Sequence, residues 1–180
     1  MSNEQDAMKR PSRQLAGPLT GLGAIAVVVV ALLDQAAKLW LLRVVHLGPG
    51  HSIRLTPFLD LVLVWNTGIS YGWFQQGGPA GQWILLAVTA VAVVLLWMWL
   101  ARAPSRLSAF ALGLIIGGAV GNAIDRLAYG AVVDFVLFHL TTASWTFRWY
   151  AFNVADAAIV AGVAALLYDS WLMRGAAKAP

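Results

Sequence analysis

The sequence predicts an all-α membrane protein of four transmembrane helices, with a small extracytoplasmic β-rich element at the outer membrane surface. Three observations carry that expectation. Of the 180 residues, 60% are hydrophobic and only 11% are charged, against about a quarter in a typical soluble domain, so a water-facing surface cannot be assembled from them. The apolar residues fall in long runs, as a bilayer core about 30 Å thick requires of a spanning helix. Most of the basic residues stand between and beyond those runs rather than in one patch: Lys9, Arg10 and Arg13 before the first, Arg102 and Arg106 between the second and third, Arg174 and Lys178 after the fourth. That distribution makes a net charge of +4 and a pI near 9.9 a topology signal, and it argues against nucleic acid as a partner.

Taken in chain order, residues 1–18 are polar with Pro11 and Pro18 and read as a disordered cytoplasmic tail. The first apolar run, 19–45, follows basic residues as a signal peptide would, but it continues without an A-x-A cleavage site at a sensible place and reads as an uncleaved helix. Residues 53–65, rich in Val, Leu and aromatics, suggest strand. The remaining spans are 83–100, 107–127 and 151–172, each near the length a helix needs. Together they form one membrane domain over 19–172, followed by a cytoplasmic tail over 173–180. Seven of the twelve Lys and Arg residues lie in the N-terminal tail, the 101–106 turn and the C-terminal tail. The positive-inside rule therefore places both termini in the cytoplasm, and the 46–82 and 128–150 connections outside. Trp145, Trp149 and Tyr150 suit an interfacial aromatic belt. Cysteine is absent, which excludes disulfides, thiolate metal sites and a cysteine nucleophile.

Ionisable groups inside spanning helices cost upward of about 2.5 kcal/mol, so they mark functional sites or buried pairs. Four carboxylates need explaining here: Asp34, Asp125, Asp134 and Asp156. Asp34 and Asn122 each lie fifteen residues into a helix rising from the cytoplasm, about 22 Å up. Asp134 follows the outer end of the third helix, and Asp156 lies roughly 7 Å inside the outer end of the fourth. One polar pocket in the outer half can hold them all. Asp34 and Lys38 are spaced i, i+4 with the acid N-terminal, which suits a structural ion pair or, as the functional alternative, a pair that braces the active-site walls without joining the chemistry. Asn122, Asp125 and Arg126 share a helix face and read as a hydrogen-bonding support. Gly113, Gly117 and Gly121 form a small-residue packing stripe without chemistry. Asp134 and Asp156 differ, because neither has a basic residue three or four positions away. Two carboxylates sharing one proton can activate water and protonate a leaving amine, although scattered structural acids would give the same pattern.

Read in order, Asp34-Gln35-Ala36-Ala37-Lys38, Asn66-Thr67-Gly68 through Gly72, Gly121-Asn122-Ala123-Ile124-Asp125-Arg126, Val133-Asp134-Phe135 and Phe152-Asn153-Val154-Ala155-Asp156 resemble the family blocks of lipoprotein signal peptidase. The resemblance implies a four-helix inner-membrane aspartyl endopeptidase. Such an enzyme removes signal peptides from prolipoproteins already carrying diacylglycerol on the lipobox cysteine. It implies Asp134 and Asp156 as the catalytic pair. Asn66, Gly68, Asn122, Asp125, Arg126 and Asn153 would line or brace the site, with Asp34 and Lys38 in support. It also implies lipid-modified prolipoproteins and membrane lipid as partners. With no thiolate and no paired histidines in the sequence, no metal and no cofactor are expected, and a monomer is expected. Ala157 stands where serine is common in the family, and the 141–149 segment is longer than usual.

Three other readings compete: a serine peptidase, a small proton-coupled transporter or channel subunit, and a purely structural membrane subunit, the last of which leaves Asp134 and Asp156 without explanation. Gly68-Ile69-Ser70-Tyr71-Gly72 satisfies the G-x-S-x-G pattern of serine hydrolases, with His139 downstream or Lys38 as base, but that elbow needs an α/β sheet. His46, His51 and His139 lack the spacing of zinc peptidases. A small proton-coupled transporter or channel subunit could use the same acids as a relay. However, a relay must cross the bilayer, the stretches 24–33 and 157–167 are uniformly apolar, and no internal repeat is visible.

Overall fold

The computed structural model describes residues 15–68, 79–142 and 144–176. The elements run α1 (Thr20–Arg43), β1 (Ser52–Thr56), β2 (Leu59–Asn66), α2 (Pro79–Leu100), α3 (Arg106–Tyr129), β3 (Val132–Thr141), β4 (Thr146–Arg148) and α4 (Val154–Ala176). All four helices are long and apolar enough to cross a membrane. Their outward faces carry Ile25, Leu32, Val88, Val91, Leu95, Val160 and Leu167, all exposed. An apolar surface of that extent is tolerable only against lipid or another protein.

The bundle is organised around α3, which packs on α1, α2 and α4. Over half of its apolar span is buried, against 6% for α2. The glycine stripe explains the closeness: a Cβ added at Gly113 would lie 2.7 Å from Ala26 Cβ, and one at Gly121 would lie 2.7 Å from Asp34 Oδ2. Glycine at these positions lets the backbones of α1 and α3 meet and seats the Asp34 carboxylate directly on α3. Gly113→Ala is therefore expected to destabilise by about 1–3 kcal/mol through overpacking. Gly21→Ala, with nothing within 4 Å of its added methyl, should leave stability unchanged or slightly raised. Thermal unfolding of both variants in one detergent checks the contrast.

Both ends of α3 are defined by local chemistry. At its start Ser105 Oγ accepts from Ser108 N at 2.9 Å and donates to Asp169 Oδ2 on α4 at 2.6 Å. At its end Gly130 adopts a left-handed conformation, φ 74°, and its N–H bonds Arg126 O at 3.1 Å. This is the glycine C-terminal stop that turns the chain abruptly. The chain then enters β3 two residues later, which brings Asp134 back over the helix.

The strands form one antiparallel sheet in the order β1-β2-β3-β4. In the register of β2 with β3, Val64 faces Asp134 and Asn66 faces Val132, with an irregularity between Leu61 and Val64. An isolated bridge between Val136 and Phe152 ties β3 to the segment entering α4. Leu41, Leu47 and Phe135 form a small buried core where the sheet meets the end of α1.

Three boundaries differ from the sequence expectation. The stretch 53–65, read as strand, is a hairpin of β1 and β2 that turns at Pro57, which has no N–H for a ladder. The 128–150 connection contains β3 and β4. Finally, α4 begins at Val154 rather than 151, so Asp156 sits in its first turn instead of five residues inside it.

Candidate active site

Asp134 comes from β3 and Asp156 from the first turn of α4, and both line one cavity. Three asparagine side chains and one backbone amide hold the two carboxylates. Asp134 Oδ2 accepts from Asn66 Nδ2 at 3.0 Å and its Oδ1 from Asn153 Nδ2 at 2.7 Å. Asp156 Oδ1 accepts from Asn122 Nδ2 at 2.8 Å and its Oδ2 from the backbone N–H of Asn153 at 3.2 Å. Asn153 thus touches both acids and is fully buried.

The position of Asp156 follows from helix capping. Asn153 Oδ1 accepts from Asp156 N at 2.9 Å while Asp156 reaches back to Asn153 N, a reciprocal capping box. A carboxylate in that first turn also meets the helix dipole favourably. Asp134 lacks such a helix end and is almost completely buried. Burial, with the nearby Asp156 charge adding to it, pushes the Asp134 carboxyl up to about 6, against the opposing hydrogen bonds from Asn66 and Asn153.

The cavity has a volume of about 990 Å³, at the upper end of ordinary ligand sites. Its polar wall holds Asn66, Gly68, Asn122, Arg126, Asp134 and Asp156, and its apolar wall is the α4 face of Ala157, Val160, Ala161 and Ala164. Trp149 and Tyr150 stand at another side. Arg126 reaches Gly68 O from Nη2 at 3.2 Å and Asn122 O from Nη1 at 3.3 Å.

Asp34, Lys38 and Asp125 lie behind this wall, all buried. Lys38 Nζ is 2.7 Å from Asp34 Oδ2, as the i, i+4 spacing predicts, and 2.6 Å from Asp125 Oδ2. Asp125 therefore turns away from the cavity to α1, whereas its neighbour Arg126 faces the cavity. The shared face expected for Asn122, Asp125 and Arg126 divides between two environments, because consecutive helical residues point about 100° apart.

Two contributing residues had no distinguishing sequence signal. Gln35 Nε2 donates to Asp125 Oδ1 at 2.8 Å and to Gly121 O at 3.2 Å, and Gln82 donates to Arg126 O. Of the rival groups, His139 Nε2 lies 3.2 Å from Asp60 Oδ2 across the sheet, outside the cavity lining. Ser70 and Gly72 fall outside the described residues. Among the described residues, no three His, Cys, Asp or Glu side chains are grouped to hold a metal ion.

A family model described as signal peptidase (SPase) II matches residues 26–172. A lipoprotein signal peptidase of Nitrobacter hamburgensis is 64% identical over 158 residues, covering 88% of this chain and 96% of that protein. Another from Rhodopseudomonas palustris is 58% identical over 159 residues, covering 88% and 97%. A solved structure of a bacterial membrane enzyme shares the fold with a TM-score of 0.73 at 23% identity, covering 88% of this chain and 92% of its own. With most of its length matched by the family model and by relatives of nearly equal extent, this multi-pass membrane protein belongs to the signal peptidase II family.

Proposed function

We propose that the protein removes signal peptides from diacylglyceryl-modified prolipoproteins, cutting before the lipidated cysteine as an aspartyl endopeptidase. The observation that carries this reading is the pair Asp134 and Asp156, brought to one cavity by different elements and joined through Asn153. Neutral amides hold both acids, so among the described residues no cation locks either in its charged form by direct contact, and one proton can be shared between them.

In the proposed reaction Asp134, pushed up to about 6, holds the shared proton and Asp156 is the base. Asp156 takes a proton from a water molecule as its oxygen bonds to the scissile carbonyl carbon, and Asp134 gives its proton to the carbonyl oxygen. When the C–N bond breaks, the leaving nitrogen takes the proton held by Asp156, and the hydroxyl of the collapsing intermediate returns one to Asp134. The apolar wall on α4 suits the apolar segment of the substrate. With both termini cytoplasmic, the site opens near the outer leaflet, and one chain holds all the groups that the reaction uses.

Incubating the purified protein in detergent with a diacylglyceryl-modified prolipoprotein should yield a product shortened by the signal peptide. The rate should be unchanged by EDTA and largely kept in Ser70→Ala. An intact substrate would favour a transporter or structural subunit, cleavage lost in EDTA and restored by zinc would make it a metallopeptidase, and an inactive Ser70→Ala would revive the serine reading.

A further inference from the structure

Behind the cavity, one ammonium group is connected to the main chain on which each acid is mounted. We propose that Lys38 is a positioning residue that sets the relative placement of Asp134 and Asp156. The inference rests on the paired-aspartate reading above. Asp125 Oδ2 accepts the backbone N–H of Val133 at 3.0 Å, and Val133 immediately precedes Asp134. Asp34 Oδ1 accepts the backbone N–H of Ala155 at 3.0 Å, and Ala155 immediately precedes Asp156. Lys38 Nζ joins these two carboxylates at 2.6 and 2.7 Å.

The same path therefore runs in both directions from Lys38: ammonium, carboxylate, backbone amide, then the acid. A third branch adds to it. Lys38 Nζ and Asn153 Nδ2 both point at Asn122 Oδ1, at 3.3 and 3.1 Å, which leaves the Asn122 NH₂ for Asp156. Gln35 Nε2 fills further acceptor positions on Asp125 and Asp34, at 2.8 and 3.2 Å.

Charge balance alone does not require this arrangement. Asp34 already neutralises Lys38 within α1, and burying a second carboxylate beside the pair adds an uncompensated charge at a cost in desolvation. What Asp125 adds is the link to β3. The Ala155 N–H is one of the unpaired donors of the first helical turn of α4, so Asp34 completes that helix end from another helix. The three elements bearing Lys38, Asp134 and Asp156 thereby become one hydrogen-bonded frame.

The test uses variants that keep the buried charge balanced. Asp34→Asn and Asp125→Asn each leave one acid opposite Lys38, with an amide oxygen able to accept the same backbone N–H. The triple variant Lys38→Met/Asp34→Asn/Asp125→Asn removes every charge of this cluster. Each should fold, with a Tm close to that of the parent protein. On a fluorescent lipopeptide kcat should fall at least about tenfold in the single variants and about 100-fold in the triple, with KM within about twofold, because small misplacement of reacting groups costs rate rather than binding. Parental kcat in any folded variant would reduce Lys38 to charge balance and overturn the proposal. Loss of kcat only in step with a fall in Tm would overturn it too, as would failure of all three variants to fold. If these variants stay active while Asp134→Asn is dead, the inference alone fails. If Asp134→Asn is active, the paired-aspartate reading fails first.

Discussion

Asp134→Asn and Asp156→Asn are each expected to lower kcat for prolipoprotein cleavage by roughly 1,000- to 10,000-fold in protein that remains folded. Each substitution keeps nearly the same shape and removes the ability to take or give a proton. The structural cost should be small at both positions. An asparagine at 156 still offers an oxygen to the Asn153 N–H, preserving the α4 cap, while its NH₂ opposes the Asn122 donor and loses that one hydrogen bond. At 134 the two partners are amide donors, Asn66 and Asn153, so an asparagine there opposes one donor with its own NH₂ and loses one hydrogen bond, worth about 1 kcal/mol. Thermal unfolding in the assay detergent should show both variants within a few degrees of the parent. Either variant retaining more than about a tenth of parental kcat would show that the chemistry does not use both acids.

How much of this site could be read from the sequence depends on the range of the signal. The four spans follow from composition and length alone, which act locally. The Asp34–Lys38 pair follows from i, i+4 spacing within one helix, and the structure has it at 2.7 Å. The Lys38–Asp125 pair joins residues of α1 and α3 and leaves no local trace. The same holds for the contacts of Gln35 and Gln82 to α3, made by ordinary polar residues of other elements. β3 was legible in principle, since Val132 to Thr141 is a run of β-branched and aromatic residues. Its location in a connection between two spans concealed it. The late start of α4 was also available: Asn153 and Asp156 have the Ncap and N3 spacing of a capping box, but the apolar run beginning at Ala151 extends past the cap and gave the wrong boundary. Asp134 and Asp156 stood out because they lack a local cation, and the structure supplies the reason, holding them with asparagine amides and a backbone N–H instead.

Cleavage is expected to have a bell-shaped dependence on pH, with kcat/KM falling about tenfold per pH unit on both flanks. The pair must hold one proton. When both acids are protonated no base remains, and when both are ionised no acid remains. Asp134 is displaced upward from 3.8 to about 6, by burial first and by the Asp156 charge in addition, so the alkaline limb begins near that region and belongs to the pair as a unit. The same displacement has a consequence for stability whose sign is fixed. A carboxyl with a raised folded-state pKa contributes stability that is fully present below 3.8 and is lost as pH rises through about 6. Asp134→Asn cannot titrate at this position. The stability of the parent relative to this variant should therefore decline from pH 4 to pH 8, by roughly 2–3 kcal/mol at most. Thermal unfolding of the two proteins across that range, beside kcat/KM of the parent, tests both parts. A constant stability difference would show that Asp134 is not held in its protonated form by the fold. A flat activity profile in folded protein would remove the shared proton from the mechanism.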